Sequence, residues 1–225
     1  VRPLTEPGME VKKAWLPVEY QVITRDIAQA LAQPEMTGFR ITQVYANSTA
    51  AQAGLQEGDL IISVDGEAMT ASSPEHYEEL SALIRQYAAG ATVELGIRRL
   101  NEEIRMPVTL SEAPKLAREM KKYKDEIFEF TVRDITFFDR ASEKWAQEQT
   151  GVLVEQVLPG GWAGLGQLSA SDLIVAIDQT PVNTVDEVRD KMAAITEAAQ
   201  EYVVFKVRRG IRILYLELEP KWDRK

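Results

Sequence analysis

The chain has 225 residues, 45% hydrophobic and 27% charged, a balance that supports buried cores and excludes a disordered chain. At roughly 100–200 residues per domain this length allows one large domain or two small ones. Thirty-five acidic against 26 basic residues give a formal charge of −9, the wrong sign for coating phosphate backbones or anionic lipid, so no nucleic-acid partner is expected.

No apolar run approaches the ~18–20 residues that a membrane helix needs. The sequence starts at Val1 without an initiator methionine or a signal-peptide pattern, which reads as an excised piece of something longer. Residues 1–14, with Pro3, Pro7 and Gly8, read as a tail or the stub of an upstream linker. A first domain is expected over 15–111. Within it Phe39, Ile41 and Val44 alternate as a strand, and Leu60–Val64, bounded by Gly58 and Asp65-Gly66, reads as a second, buried one. Pro74 opens a long helix on which Tyr77, Leu80, Leu83, Ile84 and Tyr87 recur at helical spacing, with Gly90 as its C-cap. Two strands follow near Thr92–Arg98 and Ile104–Leu110.

Residues 112–126 are charged, and Leu116, Met120, Tyr123 and Ile127 fall on one face of a helix starting near Pro114. That spacing predicts a helical linker whose stripe lies against a domain and fixes the arrangement of the two halves. A second domain is expected over 127–220. Its long helix carries Val185, Val188, Met192 and Ile195 behind the cap candidates Asn183-Thr184, and strands near Tyr202–Arg208 and Ile213–Leu218 close it. A short tail, 221–225, ends the chain.

The two domains are copies. Gly38-Phe-Arg-Ile-Thr-Gln-Val44 aligns with Gly151-Val-Leu-Val-Glu-Gln-Val157, and Leu55-Gln-Glu-Gly-Asp59-Leu-Ile-Ile-Ser-Val-Asp65 aligns with Leu168-Ser-Ala-Ser-Asp172-Leu-Ile-Val-Ala-Ile-Asp178, both at an ungapped offset of 113. Upstream, Val22-Ile23-Thr24 matches Asp134-Ile135-Thr136 at 112, and downstream Arg98-Arg99 matches Arg208-Arg209 at 110.

The string Ser48-Thr-Ala-Ala-Gln-Ala-Gly54-Leu-Gln-Glu-Gly-Asp59-Leu-Ile-Ile-Ser-Val-Asp65-Gly66 resembles the heart of a PDZ domain, and the second copy matches it more loosely. Trp15-Leu-Pro-Val-Glu-Tyr-Gln-Val-Ile-Thr24 stands before the first large strand, an order that resembles the PDZ domains of bacterial HtrA/Deg-type serine proteases. The ending Arg209-Gly-Ile-Arg-Ile-Leu-Tyr-Leu-Glu-Leu-Glu-Pro-Lys-Trp222 is similar to the tail of such proteases. The resemblance covers about residues 15–220. It implies an α+β, mainly β fold of two PDZ-like, partly open β-barrels, each with one long and one short helix.

It also implies peptide or unfolded-chain partners, bound by strand addition to regulate or feed a protease domain upstream of Val1, in a periplasmic or other extracytoplasmic setting. A homo-oligomer is a further possible partner. By the family pattern, Trp15, Leu16, Pro17 and Val18 form the carboxylate loop and first strand of the first copy, with Leu80, Leu83 and Ile84 as pocket walls. Ile127, Phe128, Glu129 and Phe130, with Val188, Met192 and Ile195, do the same in the second. Both loops depart from the family, which has glycine where Pro17 and Glu129 stand: proline has no N–H to offer an anion, and Glu129 sets a negative side chain beside one. The alternative reading is a scaffold or adaptor whose grooves serve domain packing or oligomer contacts.

Chemistry beyond binding finds no support in the residues. No cysteine and a single histidine, His76, remove disulfides, thiolate chemistry and most histidine-based metal or triad chemistry, and no serine sits in a glycine-flanked nucleophile context. No metal, cofactor or catalytic residue is expected, and the chain reads as non-catalytic. His76 reads as a solvated helix residue, Asp65 and Asp178 as turn residues, and Gly160-Gly161-Trp-Ala-Gly164-Leu-Gly166 as a connecting loop. The Arg98-Arg99 and Arg208-Arg209 doublets read as hairpin edges charged against aggregation. Trp15 and Trp162 read as aromatics packed on their domains or, alternatively, as recognition anchors.

Overall fold

The computed structural model describes residues 12–100 and 102–222. Residues 1–11 of the expected leading tail and 223–225 of the trailing one lie outside the described residues. The chain divides between Ala113 and Pro114 into two compact units.

The first unit runs β1 (Ala14–Trp15), β2 (Val18–Val22), α1 (Arg25–Ala30), β3 (Phe39–Val44), α2 (Thr49–Ala53), β4 (Leu60–Val64), β5 (Glu67–Ala68), α3 (Tyr77–Ile84), β6 (Thr92–Arg99), β7 (Glu102–Thr109) and β8 (Ser111–Glu112). Its main sheet has the order β2-β3-β4-β6-β7, with β5 folded onto β4, while β1 and β8 form a separate pair. The second unit runs β9 (Lys122–Asp125), β10 (Phe130–Asp134), α4 (Phe137–Ser142), β11 (Val152–Val157), α5 (Trp162–Leu165), β12 (Leu173–Ile177), β13 (Thr180–Pro181), α6 (Val185–Glu197), β14 (Val203–Arg209) and β15 (Arg212–Leu218). Its order is β15-β14-β12-β11-β10-β9, with β13 on β12. Both are mainly β, with open sheets and helices over the core, as the resemblance implies.

Local chemistry explains the shared plan. Thr24 and Thr136, the two repeated threonines, cap α1 and α4 by accepting the N–H of Ile27 and Asp139. Gly38 and Gly151 sit at φ +116° and +138°, where an added Cβ would lie 2.5 Å from Ile61 O and 2.8 Å from Ile174 O. No side chain fits there. Asp65 (φ 47°) and Asp178 (φ 45°) turn the chain after β4 and β12. Their carboxylates then accept the N–H of Glu94 at 2.7 Å and of Val204 at 2.9 Å, fastening each turn to the next strand.

Each unit has two short helices where one was expected. In the first, Ser48 caps α2 and Gly54, at φ +90°, ends it, so part of the most distinctive string of the sequence is a complete capped helix. The long helix α3 stops at Ile84, before the expected Gly90. Tight bonds from Gln86 N–H to Leu83 O and Tyr87 N–H to Ile84 O wind down the turn, and Tyr87 still packs against the core.

The Arg doublets do more than decorate an edge. Arg99 makes a forked pair with Asp59, both contacts 2.7 Å, and donates to Gly54 O at the end of α2. Arg209 repeats this with Asp172, at 2.6 and 2.7 Å, and with Gln167 O. Asp59 and Asp172 are 1% and 0% exposed, so each guanidinium neutralises a buried carboxylate and ties a hairpin to the short helix before β4 or β12.

The helical linker expected over 112–126 does not form. Only Ala117–Glu119 makes a turn of 3₁₀ helix, and Lys122–Asp125 is strand β9. An isolated helix of about a dozen residues is marginal in water, whereas β9 gains a four-residue ladder with β10. The supposed stripe is therefore broken up: Leu116 and Ile127 are each 40% exposed, and no helical face exists on which to rest a fixed arrangement.

Candidate functional site

In the first unit β2 is the terminal strand of its sheet, paired on one side with β3. Among the described residues no strand pairs with its other edge. Val18 and Val22 point into the core while Glu19 and Gln21 are exposed. Between them Tyr20 reaches α3, its ring 5.2 Å from that of Tyr77 and its hydroxyl donating to Tyr77 O at 3.3 Å. Burial raises the pKa of the Tyr20 hydroxyl above the usual phenol value. An open backbone edge and the start of an apolar-faced helix thus flank one another.

The loop ahead of β2 is a poor anion cradle. Pro17 brings no N–H, and the N–H of Val18 donates to Leu16 O at 2.8 Å, inside the loop itself. Leu16, Pro17 and Val18 are buried, and Trp15 is half-buried with its ring 5.5 Å from that of Tyr45, a packing contact. Of the expected pocket walls, Leu80 and Ile84 are core at 1% and 2% exposure, and Leu83 is partly buried against it. His76 is a capping group instead of a solvated one: its Nδ1 accepts the N–H of Ser72 at 3.1 Å and of Ser73 at 3.3 Å.

The second unit arranges the same parts differently. β10, the counterpart of β2, is paired on both sides, with β11 and with β9. Running antiparallel to β10, β9 places Asp125 opposite Phe130, Lys124 opposite Thr131, Tyr123 opposite Val132 and Lys122 opposite Arg133. Asp125 ends at the loop, buried, and its Oδ1 accepts the N–H of Ile127 at 3.0 Å and of Phe128 at 2.7 Å. The Asp125 carbonyl accepts the N–H of Glu129 at 3.0 Å. Here the loop N–H groups converge on a carboxylate, and it belongs to the chain.

Glu129 takes the backbone conformation that the missing glycine would favour, at φ 61°. Its side chain lies over Gly161, where an added Cβ would meet Glu129 Oε2 at 2.5 Å. The glycine loop makes room for the glutamate. Phe128, Phe130, Val188, Met192 and Ile195 are all within 2% of full burial and form the core; Ile127 is exposed, and Trp162 packs against that core. A shallow groove of about 440 Å³ remains between Tyr123–Ile127 and Ala193, Thr196 and Glu197 of α6.

Spacing alone missed β9 and the contact of Tyr20 with Tyr77. The alternation Lys122, Tyr123, Lys124, Asp125, with the lysines exposed and the other two inward, is a period-2 signal that the helical reading overrode. No cluster of acidic or histidine side chains suited to a metal occurs among the described residues.

PDZ-domain family models match residues 40–99 and residues 124–208. The chain carries two PDZ domains in tandem. Along its length it is similar to HtrA proteases of the DegP and DegQ type. It is 27% identical over 212 residues to a probable periplasmic serine endoprotease DegP-like of Bartonella henselae, covering 92% of this chain and 40% of the relative. Against the periplasmic pH-dependent serine endoprotease DegQ of Escherichia coli it is 24% identical over 207 residues, covering 92% and 42%. The chain therefore spans about two fifths of the length of these relatives. Among solved structures, the HtrA3 PDZ domain bound to a phage-derived ligand (FGRWV) matches 45% of this chain and 88% of its own at TM-score 0.37 and 22% identity. The HtrA-type protease AlgW with decapeptide matches 46% and 30%, at TM-score 0.39 and 21% identity. The matched residues of both halves are PDZ domain.

Proposed function

We propose that this chain is the peptide-holding region of a periplasmic HtrA-like serine protease, and that its first PDZ domain adds an extended peptide to the open edge of β2. The observation that carries this reading is the edge of β2, beside Tyr77 and α3, which no other strand pairs among the described residues, the arrangement from which a sheet gains a strand through main-chain hydrogen bonds. Occupancy of that groove brings substrate to, or biases, a protease domain elsewhere in the parent protein. The periplasmic setting is supported by the relatives' descriptions, and no described helix is long and apolar enough to cross a membrane.

The peptide is held along its backbone and not by its C-terminal carboxylate. With Pro17 lacking an N–H and Val18 bonded to Leu16 O, two of the charge-assisted bonds worth roughly 1.5–3 kcal/mol each are not on offer. Titrating the ¹⁵N-labelled chain with an apolar decapeptide, as free acid and as C-terminal amide, tests both parts. Amide shifts in Val18–Val22 and Tyr77–Ile84, with affinities equal within about threefold, are expected. No shift in either segment at millimolar peptide refutes strand addition, and a strong preference for the free acid refutes the carboxylate-blind form. The second PDZ domain, whose β10 edge is already paired, favours the scaffold or packing role for that half.

A further inference from the structure

We propose that the groove of the second PDZ domain is filled by a ligand encoded in the chain itself, Lys121–Asp125, and that this domain takes an outside peptide only when that segment is displaced. The inference rests on reading the unit as a PDZ domain whose ligands run antiparallel to β10. β9 has that direction and ends at the loop, where Asp125 presents its carboxylate to the N–H groups of Ile127 and Phe128 at 3.0 and 2.7 Å. A side-chain carboxylate thus stands where a peptide terminus would be received.

The other contacts resemble those of a bound peptide more than those of a passing connector. Tyr123 packs against the core of the unit, and its hydroxyl donates to Asp125 Oδ2 at 2.8 Å. On one flank Lys121 pairs with Asp186 in the first turn of α6; on the other Lys122 pairs with Glu155 of β11 at 2.7 Å. The segment is anchored to the helix, the neighbouring strand and the loop, and its backbone supplies the ladder.

The first domain provides the internal comparison. There the residues ahead of the loop go elsewhere: Lys13 bridges to Ala88, and Ala14 and Trp15 pair with Glu112 and Ser111 of β8. Among the described residues no strand takes the outer edge of β2. One repeat, with the same strand order after the loop, sends its leading segment to β8 in one copy and into the groove in the other. An attached ligand acts at an effective concentration of about millimolar or more, so a free peptide must compete with it at every encounter.

The experiment uses the whole ¹⁵N-labelled chain and an unlabelled apolar decapeptide with a free C-terminus. In the wild-type protein no shifts are expected in Phe130–Asp134 or Val185–Glu197. In the Tyr123→Ala, Asp125→Ala double variant those same amides shift, and the affinity of this domain for the peptide rises at least about tenfold. Retained dispersion of the β12 and β14 amides shows that the variant is folded. Should it unfold, Asp125→Ala alone, which leaves Tyr123 in the core, is read the same way. Shifts in β10 and α6 of the wild-type protein overturn the proposal, as does a folded variant that gains no binding. Because β2 and α3 report separately, failure of peptide binding in the first domain is distinguishable from either result.

Discussion

Replacing Arg209 with methionine keeps most of the aliphatic stem and removes the fork that neutralises Asp172. The carboxylate, fully buried, keeps the N–H of Ser169 at 2.9 Å. Two charge-assisted bonds at roughly 1.5–3 kcal/mol each set the upper scale. The Arg209 side chain is 33% exposed, so water reaches the vacated side and moves the cost toward the lower end, about 3 kcal/mol. With an m-value of about 1.5 kcal/mol/M in urea for a domain of this size, the midpoint of the second domain falls by about 2 M. Urea titration followed by domain-resolved NMR cross-peaks measures it, the first domain serving as control. Asp172→Asn combined with Arg209→Met removes the bare charge and recovers about half of the loss. A fall below about 0.5 M, or a double variant no more stable than Arg209→Met alone, would refute the reasoning.

The matching change Arg99→Met gives a similar fall in the first domain, since Asp59 is equally buried. Burial pushes the Asp139 carboxyl up, but its bonds from Arg133 and Thr136 outweigh this and hold it below the usual range. Its contribution is therefore present above the ordinary Asp pKa of about 3.9 and is lost as pH falls through the lowered value; the stability gap between wild type and Asp139→Asn, measured by urea titration, closes below about pH 4. Glu129→Gly relieves a left-handed backbone at φ 61° and leaves stability unchanged or raised by up to about 1 kcal/mol, whereas Glu129→Val lowers it. His76→Ala strips the acceptor from the N–H groups of Ser72 and Ser73 and costs the first domain about 1 kcal/mol in the same assay.

What the sequence made legible was whatever it states locally or twice. The 113-residue offset from Gly38 to Gly151 marks the two domains because both positions need a glycine under a carbonyl of the next strand. Strands β3 and β4 and the cap of α6 at Thr184 follow from alternation and capping chemistry that act over a few residues. The fate of β9 depended on an edge supplied by β10, and nothing in Leu116, Met120, Tyr123 and Ile127 reveals that a ladder is available. Arg99 lies 40 residues from Asp59, so a doublet at a strand end discloses its exposure but not its partner. The pocket positions Leu80, Val188 and Met192 were apolar on either reading, and burial alone told core from wall. Pro17 carried its message outright, because a missing N–H is visible in the residue type.

The division of labour at the leading segment changes what a fragment of this protein is. Cut at Pro114, the second domain keeps β9 and its own occupant; cut at Ile127, the boundary that spacing suggests, it loses both the strand on β10 and the carboxylate at the loop. Two pieces differing by a short stretch of charged residues would then behave as opposites in a binding screen, one silent and one receptive. The choice of first residue would be read as a property of the domain.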